Sequence, residues 1–404
     1  MGRDPAYILD VSRLLSRLGK GALTGIDRVE AAWLQRLAPL PHLLLARVGR
    51  DTLLLPPEAG LSLSGWINGD TAHLPPLRLQ DRLRRRPELT ARAGRALRGM
   101  AMTRRPRDFR AAITRHDSRA SWVYLNVGHG AIADDAWRAL AGTRRAVMIH
   151  DTIPLDHPEF TRKGQSQVFR DRLSMRLSGA DHVIAISDHT ADRVADWVSR
   201  LSLPRTPPIT VAPIGTTLTQ AGDEPMGIPT DRPFFLTVGT IEPRKNHALL
   251  LDAWDRLARS MPATRVPRLI IAGRRGWENA ATFARLDRLP RNSPVIERAD
   301  LSDADIAWLM DHAHALLMPS FAEGFGLPMS EAAARGLPVL ASPLPTAAEF
   351  LPDHAMIVPW DHPAAWADAV ADLSGRTPRR LPPAIVPTWE THFEIVDDVM
   401  RGDD

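Results

Sequence analysis

The stretch Pro319-Ser-Phe-Ala-Glu-Gly-Phe-Gly-Leu-Pro-Met-Ser-Glu-Ala-Ala-Ala-Arg-Gly336 decides how this chain is read. The apolar run at 313–318 reads as a buried strand and that at 338–341 as the next, so the residues between them must supply a loop and a short helix. Pro328 suits a first helical turn, where its missing N–H is not needed, and Gly336 suits the stop, which predicts a helix from Leu327 or Pro328 to Arg335. Gly324 and Gly326 flank Phe325 just ahead of that helix, where glycine lets the backbone approach a ligand and turn its N–H groups outward. Free N–H groups backed by a helix dipole attract an anion. Glu323 and Glu331 stand on either side, which suits a phosphate carrying hydroxyl-rich groups at both ends, because a carboxylate accepts a pair of hydroxyls well. The plainer reading makes Glu331 a complement to the helix N-terminus and Glu323 a solvated loop residue.

The same grammar extends along most of the chain. Short apolar runs at 7–10, 43–46, 122–126, 146–149, 182–186 and 209–212, then at 234–238, 269–272, 295–297, 313–318, 338–341 and 356–358, alternate with helical patterns. Strands of parallel sheets covered by helices read this way. Leu249, Leu250, Ala253, Trp254 and Leu257 fall on one helical stripe. Residues 213–233 are rich in Gly, Pro and Thr and predict a linker. The expected fold class is α/β: two doubly wound, Rossmann-like domains facing a central cleft at the carboxyl ends of their strands. The first spans 1–215 with a helical, arginine-rich insertion at about 52–118, the second 216–385, and 386–404 form a C-terminal helix packing back toward the first. A chain of 404 residues is long enough for two such cores.

Composition narrows the function. The chain has no cysteine, which removes thiolate chemistry, and no apolar run approaches the ~20 residues that span a bilayer. The start MGRDPAYILD lacks a secretory pattern, so the expected location is the cytoplasm. Positive charge rests on arginine, the only lysines being Lys20, Lys163 and Lys245, and arginines crowd the segment between Arg82 and Arg115. That segment is expected either to rest on an anionic membrane surface, making the protein peripheral on its inner face, or to be a charged helical face.

The motif around Glu323 and Glu331, together with Phe235-Leu-Thr-Val-Gly-Thr-Ile-Glu-Pro-Arg-Lys-Asn246, resembles the retaining glycosyltransferases of the GT-B fold, specifically glycosyltransferase family four. The family's pair of glutamates separated by seven residues, in a Glu-Gly-Phe-Gly-Leu-Pro context, is matched in full, and the likeness is strongest from about residue 234 to 368. The resemblance implies a nucleotide-sugar donor held by the C-terminal domain. Glu331 would take the ribose hydroxyls, Glu323 the transferred sugar, and Arg244 with Lys245 the diphosphate. Gly239, Thr240, Gly273, Arg274, Gly324, Phe325, Gly326 and Leu327 would line the donor site. His150 and Asp151, ending a strand, resemble the family's histidine near the transferred sugar; a histidine there is often structural. Thr24 and Gly25 open a helix after the first strand and resemble the acceptor loop, with Asp151 beside them. Ser187 reads as a helix N-cap.

The implied reaction moves a hexose-type sugar from a UDP- or GDP-sugar to a hydroxyl of a glycan or lipid-linked acceptor, with the anomeric configuration kept by same-face attack, in bacterial surface polysaccharide synthesis. No Asp-x-Asp metal motif is evident near the diphosphate loop, so no cofactor and no metal are expected, and Arg244 and Lys245 would stand in for a divalent cation. A nucleotide-sugar epimerase of the same architecture is one rival; a basic protein binding membrane or nucleic acid through the arginine segment is another. Few aromatics interleave those arginines, which argues against stacking on single strands, and no nucleic acid partner is expected.

Overall fold

The computed structural model describes residues 5–21, 23–77, 81, 87–118, 120–129, 132–376 and 380–402. Seven strands, β1 (Ala6–Asp10), β2 (His42–Val48), β3 (Asp51–Leu55), β4 (Trp122–Asn126), β5 (Arg144–Ile149), β6 (His182–Ala185) and β7 (Ile209–Val211), form one sheet in the order β3-β2-β1-β4-β5-β6-β7. All pairs are parallel except β2 with β3. Six more, β8 (Phe234–Val238), β9 (Arg268–Ala272), β10 (Val295–Arg298), β11 (Leu316–Met318), β12 (Val339–Ala341) and β13 (Ala355–Ile357), form an all-parallel sheet in the order β10-β9-β8-β11-β12-β13. Both orders reverse direction at a switch point, between β1 and β4 and between β8 and β11, and loops leaving the carboxyl ends of such neighbours diverge to leave a crevice.

The strands are buried because helices cover both faces. Leu249, Leu250, Ala253, Trp254 and Leu257 all lie inward on the helix His247–Ser260, as their spacing requires. Residues 213–233 contain neither helix nor strand. Two local expectations need correction. The segment 52–118 is not purely helical: β3 returns antiparallel on β2 through the two-residue turn Gly49-Arg50, where Gly49 has φ +68°. A glycine opening a two-residue turn into a Thr-Leu-Leu-Leu run was the available signal. The strand expected at 313–318 begins only at Leu316, because Ala313 closes the helix Asp303–His312.

The helix Trp389–Arg401 crosses back to the first sheet, where Val396 and Met400 share a core with Tyr7 and Trp33. Tyr7 donates to Asp397 at 2.5 Å. His392 is fully buried between Trp33 Nε1–H, which donates to its Nε2 at 3.2 Å, and the Ala212 carbonyl 3.1 Å from its Nδ1. Both ring nitrogens are therefore satisfied only in the neutral form. Burial holds its pKa at about 4, although the backbone carbonyls of Ala212 and Pro213 pull upward. The unfolded chain binds this proton near pH 6.5, so the stabilisation is complete above that pH and is lost as pH falls toward 4. Glutamine can repeat both hydrogen bonds without titrating. Between pH 7 and 5 the wild type is expected to lose about 2 kcal/mol more than His392→Gln in chemical denaturation; parallel pH curves would refute this. Among the described residues no helix is long and apolar enough to cross a membrane.

Candidate functional site

Because β8 pairs with β11, the loops that follow them lie side by side. After β8 the chain makes a tight turn, Pro243–Lys245, and Asn246 adopts φ +52°, a left-handed conformation that asparagine tolerates, before the helix His247–Ser260 begins. After β11 comes the loop at 319–326, and Phe321 N–H donates to the Arg244 carbonyl at 2.9 Å, joining the two loops. Glu323 thereby meets both cations: Oε1 lies 2.7 Å from Lys245 Nζ and Oε2 2.8 Å from Arg244 Nη1. Arg244 also binds Glu242 at 2.8 Å and donates to the Ala322 carbonyl at 2.5 Å.

Arg244 and Lys245 are partly buried, and Glu242 and Glu323 are buried, Glu323 being 8% exposed. Burial opposes its charge, but Arg244 and then Lys245 outweigh that and hold the carboxyl at about 2. Burial likewise works against the Arg244 charge, and Glu323 and Glu242 raise its pKa regardless. Two cations and two carboxylates leave the cluster close to neutral, so directed donors rather than net charge must select any anion that enters.

The helix after this loop runs Leu327–Ala334, with Gly326 at φ +89° ahead of it. Glu331 lies one turn in and faces the other lobe: Arg28 Nη1 is 2.9 Å from its Oε1, while Arg28 Nη2 reaches Asp303 at 2.6 Å. Burial raises the Glu331 pKa, and Arg28 opposes that rise. Arg28 sits in the helix Gly25–Leu37, three residues past Gly25, where a Cβ would lie 3.4 Å from Leu327 Cδ1. Thr24 is engaged locally, its N–H and hydroxyl both on Asp27.

The remaining residues singled out in the sequence take several places. A Cβ on Gly324 would lie 2.2 Å from the His150 carbonyl, so glycine there answers the close approach of the two lobes. A Cβ on Gly273 would lie 1.9 Å from the Gly239 carbonyl, and one on Gly276 2.7 Å from Thr240 Cγ2, so these glycines let the loops after β8 and β9 touch. The Phe325 side chain is buried against Phe350, ring centres 4.5 Å apart, and Leu327 packs into the same core, which leaves the backbone of this turn for a ligand. Arg274 crosses to the Lys20 carbonyl at 2.5 Å. Trp277 of the same loop also crosses over: its Nε1–H donates to the Phe160 carbonyl of the other lobe at 3.1 Å.

His150 follows β5 directly, with its ring Nε2 2.6 Å from the Val127 carbonyl, and burial lowers its pKa to about 4. Asp151 accepts from Ile153 N–H at 3.1 Å; burial raises its pKa while Arg244 pulls it down. Ser187 caps the helix Asp188–Arg200 by accepting from Thr190 N–H, and its hydroxyl also reaches the Gly324 carbonyl at 3.0 Å. Asp151, Asp156, His157, His189 and Glu323 border a cleft of about 420 Å³ between the lobes. A second depression, about 270 Å³ beside Trp122 and Arg144, lies at the amino ends of β4 and β5, away from these loops.

Sequence reasoning assigned no role to Arg28, Asp303, Glu242 or Glu349. Glu349 accepts from Asp188 N–H at 2.8 Å and so caps a helix of the opposite lobe. Glu242 stands inside the 235–246 stretch and Arg28 three residues past Gly25, so proximity to a motif was the one usable signal. Part of the arginine segment braces the fold: Arg92 donates to the Pro75 and Leu74 carbonyls, Arg95 to Pro76, and Arg98 to Asp51 and Val48, whereas Arg105, Arg107, Arg110 and Arg115 are exposed. Arg82, Arg84, Arg85 and Arg86 lie outside the described residues. Among the described residues, no group of three or more His, Asp or Glu is disposed to hold a metal ion.

Comparison with known proteins agrees with this architecture. The serotype-specific mannosyltransferase WbdA of Escherichia coli is 32% identical over 253 residues, which is 59% of this chain and 30% of WbdA. The O-antigen chain mannosyltransferase B of Escherichia coli is 28% identical over 228 residues, 53% of this chain and 57% of that protein. The chain thus spans about a third to a little over half the length of these relatives. Among solved structures, Anabaena HepE in complex with UDP and glucose aligns over 98% of this chain and 95% of its own at 14% identity, with a TM-score of 0.56. WaaG, a glycosyltransferase involved in lipopolysaccharide biosynthesis, aligns over 98% and 96%, also at 14% identity and a TM-score of 0.56. These likenesses establish two Rossmann-like domains in the GT-B arrangement. The model of the family 4 glycosyltransferases in conflict systems matches residues 85–381, well over half of the sequence, and the chain belongs to that family.

Proposed function

We propose that the chain is a retaining hexosyltransferase that moves a sugar from a UDP- or GDP-sugar to a hydroxyl of a glycan or lipid-linked acceptor in bacterial surface polysaccharide synthesis. The observation that carries the reading is the junction of Glu323, Arg244 and Lys245 at the β8/β11 switch point, with Glu331 one helical turn beyond. The names of the relatives support it and put mannose first among the sugars to test.

In this reading the donor diphosphate lies against Arg244, Lys245 and the amides of residues 324–327. Its negative charge grows as the bond from the sugar carbon to the phosphate oxygen breaks, so fixed cations stabilise the transition state more than the bound donor. Glu323 orients the sugar hydroxyls, and Glu331 exchanges Arg28 for the ribose. The acceptor hydroxyl enters from the cleft beside Asp151, bonds to the sugar carbon on the face the phosphate leaves, and passes its proton to the departing phosphate oxygen. His150, neutral at pH 7, presents an imidazole beside the reacting sugar.

Thermal unfolding of the wild type with UDP, GDP, ADP and their sugars is the first test, followed by product analysis with an oligosaccharide acceptor. One nucleotide class is expected to raise Tm, and the product to keep the donor's anomeric configuration. No stabilisation by any nucleotide sugar, or an inverted product, would overturn the proposal. An epimerised sugar formed without acceptor would point to the epimerase instead.

A further inference from the structure

We propose that His129 is a positioning residue for His150, holding the end of β5 in the place that sets both the His150 imidazole and the contact between the lobes. The inference rests on the transferase reading for its kinetic consequence but not for its geometry. In the parallel ladder of β4 and β5 the last paired residues are Asn126 and Val147, and beyond them β5 stays paired with β6 but no longer with β4. Two histidines take over. The His150 ring Nε2 lies 2.6 Å from the Val127 carbonyl, and the His150 backbone N–H donates to His129 Nε2 at 3.1 Å. Each strand end is thus tied to the other by an imidazole, and the rings meet edge to face with centres 5.0 Å apart.

His129 is held in an unfavourable conformation to do this. Its φ is +54°, a left-handed geometry that costs a residue bearing Cβ of order 1 kcal/mol or more, and such outliers persist only where surrounding structure enforces them. The enforcement is visible. Arg176, 3% exposed on the helix Gln165–Gly179, donates to the His129 carbonyl at 2.6 Å. Phe169 of the same helix packs on the ring at 6.0 Å. Gly128 leaves room for the buried carboxyl of Glu30, whose Oε2 lies where a Cβ would stand. For Nε2 to accept, the imidazole must be neutral with its proton on Nδ1, and burial, which pushes the His129 pKa well below its ordinary value, keeps the ring neutral.

What is anchored matters because of what touches it. The carbonyl of His150 is the atom against which Gly324 closes, and Thr190 Oγ1 donates to the same carbonyl at 3.3 Å. Glu323 is the residue immediately before Gly324 in that loop. Releasing the His150 N–H would let the peptide rotate, shifting the imidazole and the loop carrying Glu323 together. A structural staple alone would affect stability; a positioning residue must affect turnover with donor affinity unchanged.

The test compares His129→Leu, which removes the acceptor, with His129→Gln, whose side-chain oxygen reaches the Nε2 position. His129→Leu is expected to lower kcat about 10- to 100-fold with donor KM nearly unchanged, and His129→Gln to recover to within about fivefold of wild type. In parallel, ¹⁵N-histidine NMR of the wild type should show His129 with its proton on Nδ1, and the His150 amide proton should shift in the leucine variant but not in the glutamine one. Equal kcat in wild type and leucine variant, a glutamine variant as impaired as leucine, or a proton on His129 Nε2 would each overturn the proposal. If the leucine variant does not fold, the glutamine variant and the wild-type spectrum still decide it. Absence of turnover with every donor would count against the transferase reading, and the NMR arm would still accept or reject the His129 contact.

Discussion

Lys245→Ala is expected to lower kcat/KM about 10²- to 10³-fold while the protein stays folded. The argument starts from the charge balance of the cluster. Glu323 holds Lys245 at 2.7 Å and Arg244 at 2.8 Å, and Arg244 is further committed to Glu242 and the Ala322 carbonyl. Arg244 is therefore fixed by three acceptors, whereas the Lys245 ammonium, with three protons and one carboxylate, retains donors for an arriving phosphate. Removing it takes one preorganised positive charge from the place where the leaving group's charge develops, a loss typically of about 3–4 kcal/mol in barrier height. The fold should tolerate the change, because Arg244 still touches both Glu323 and Glu242, but two carboxylates then share one cation, so the stability cost should be about 3 kcal/mol. Initial-rate kinetics and thermal unfolding of both proteins check the two halves. A variant that turns over within tenfold of wild type would show that Lys245 is a structural partner of Glu323 and nothing more.

Gly324→Ala should have a comparable effect by a different route. The added methyl would stand 2.2 Å from the His150 carbonyl oxygen and 3.0 Å from Asp151 Cβ. Neither is the free end of a flexible side chain, and the Gly324 carbonyl is itself held by the Ser187 hydroxyl across the same boundary. The strain is best relieved by parting the lobes, which moves Glu323 away from the carboxyl end of β5. A displacement of about 1 Å at a reacting centre can cost on the order of 100-fold, so kcat/KM is expected to fall by at least that much. Overpacking typically costs about 1–3 kcal/mol, and since each sheet keeps its own core, unfolding should change only within that range. Gly99→Ala is the control: nothing lies within 4 Å of its Cβ position, and alanine suits the helix Glu88–Met100. Wild-type turnover by Gly324→Ala would mean that the close approach of the lobes is not the working arrangement.

The chain displays its local logic openly. Pro328 and Gly336 bracket a helix found at Leu327–Ala334, the stripe from Leu249 to Leu257 lies inward, and Ser187 caps the helix that follows it. Each of these depends on neighbours a few residues apart, and turn stereochemistry or helical spacing is enough to specify them. The return strand β3 was equally local, signalled by Gly49, and was obscured by the arginines around it.

Residues far apart in sequence behaved differently. Lys245 and Glu323 stand in loops 78 positions apart and meet because β8 and β11 are neighbours in the sheet. Arg28 lies 303 positions from Glu331, and no motif announces their pairing. Gly273 and Gly324 read as ligand contacts, yet each is required where two backbones touch. Arg92, Arg95 and Arg98 read as a free basic face and are consumed by carbonyls and a carboxylate within the fold. Element type, the two-sheet plan and the residues able to do chemistry follow from short-range stereochemistry and hydrophobic spacing, which a linear chain carries in full. Which charge faces which, and why a glycine is needed, follow from long-range burial, because an ion pair or a steric limit exists only once folding has brought its second member within a few ångströms.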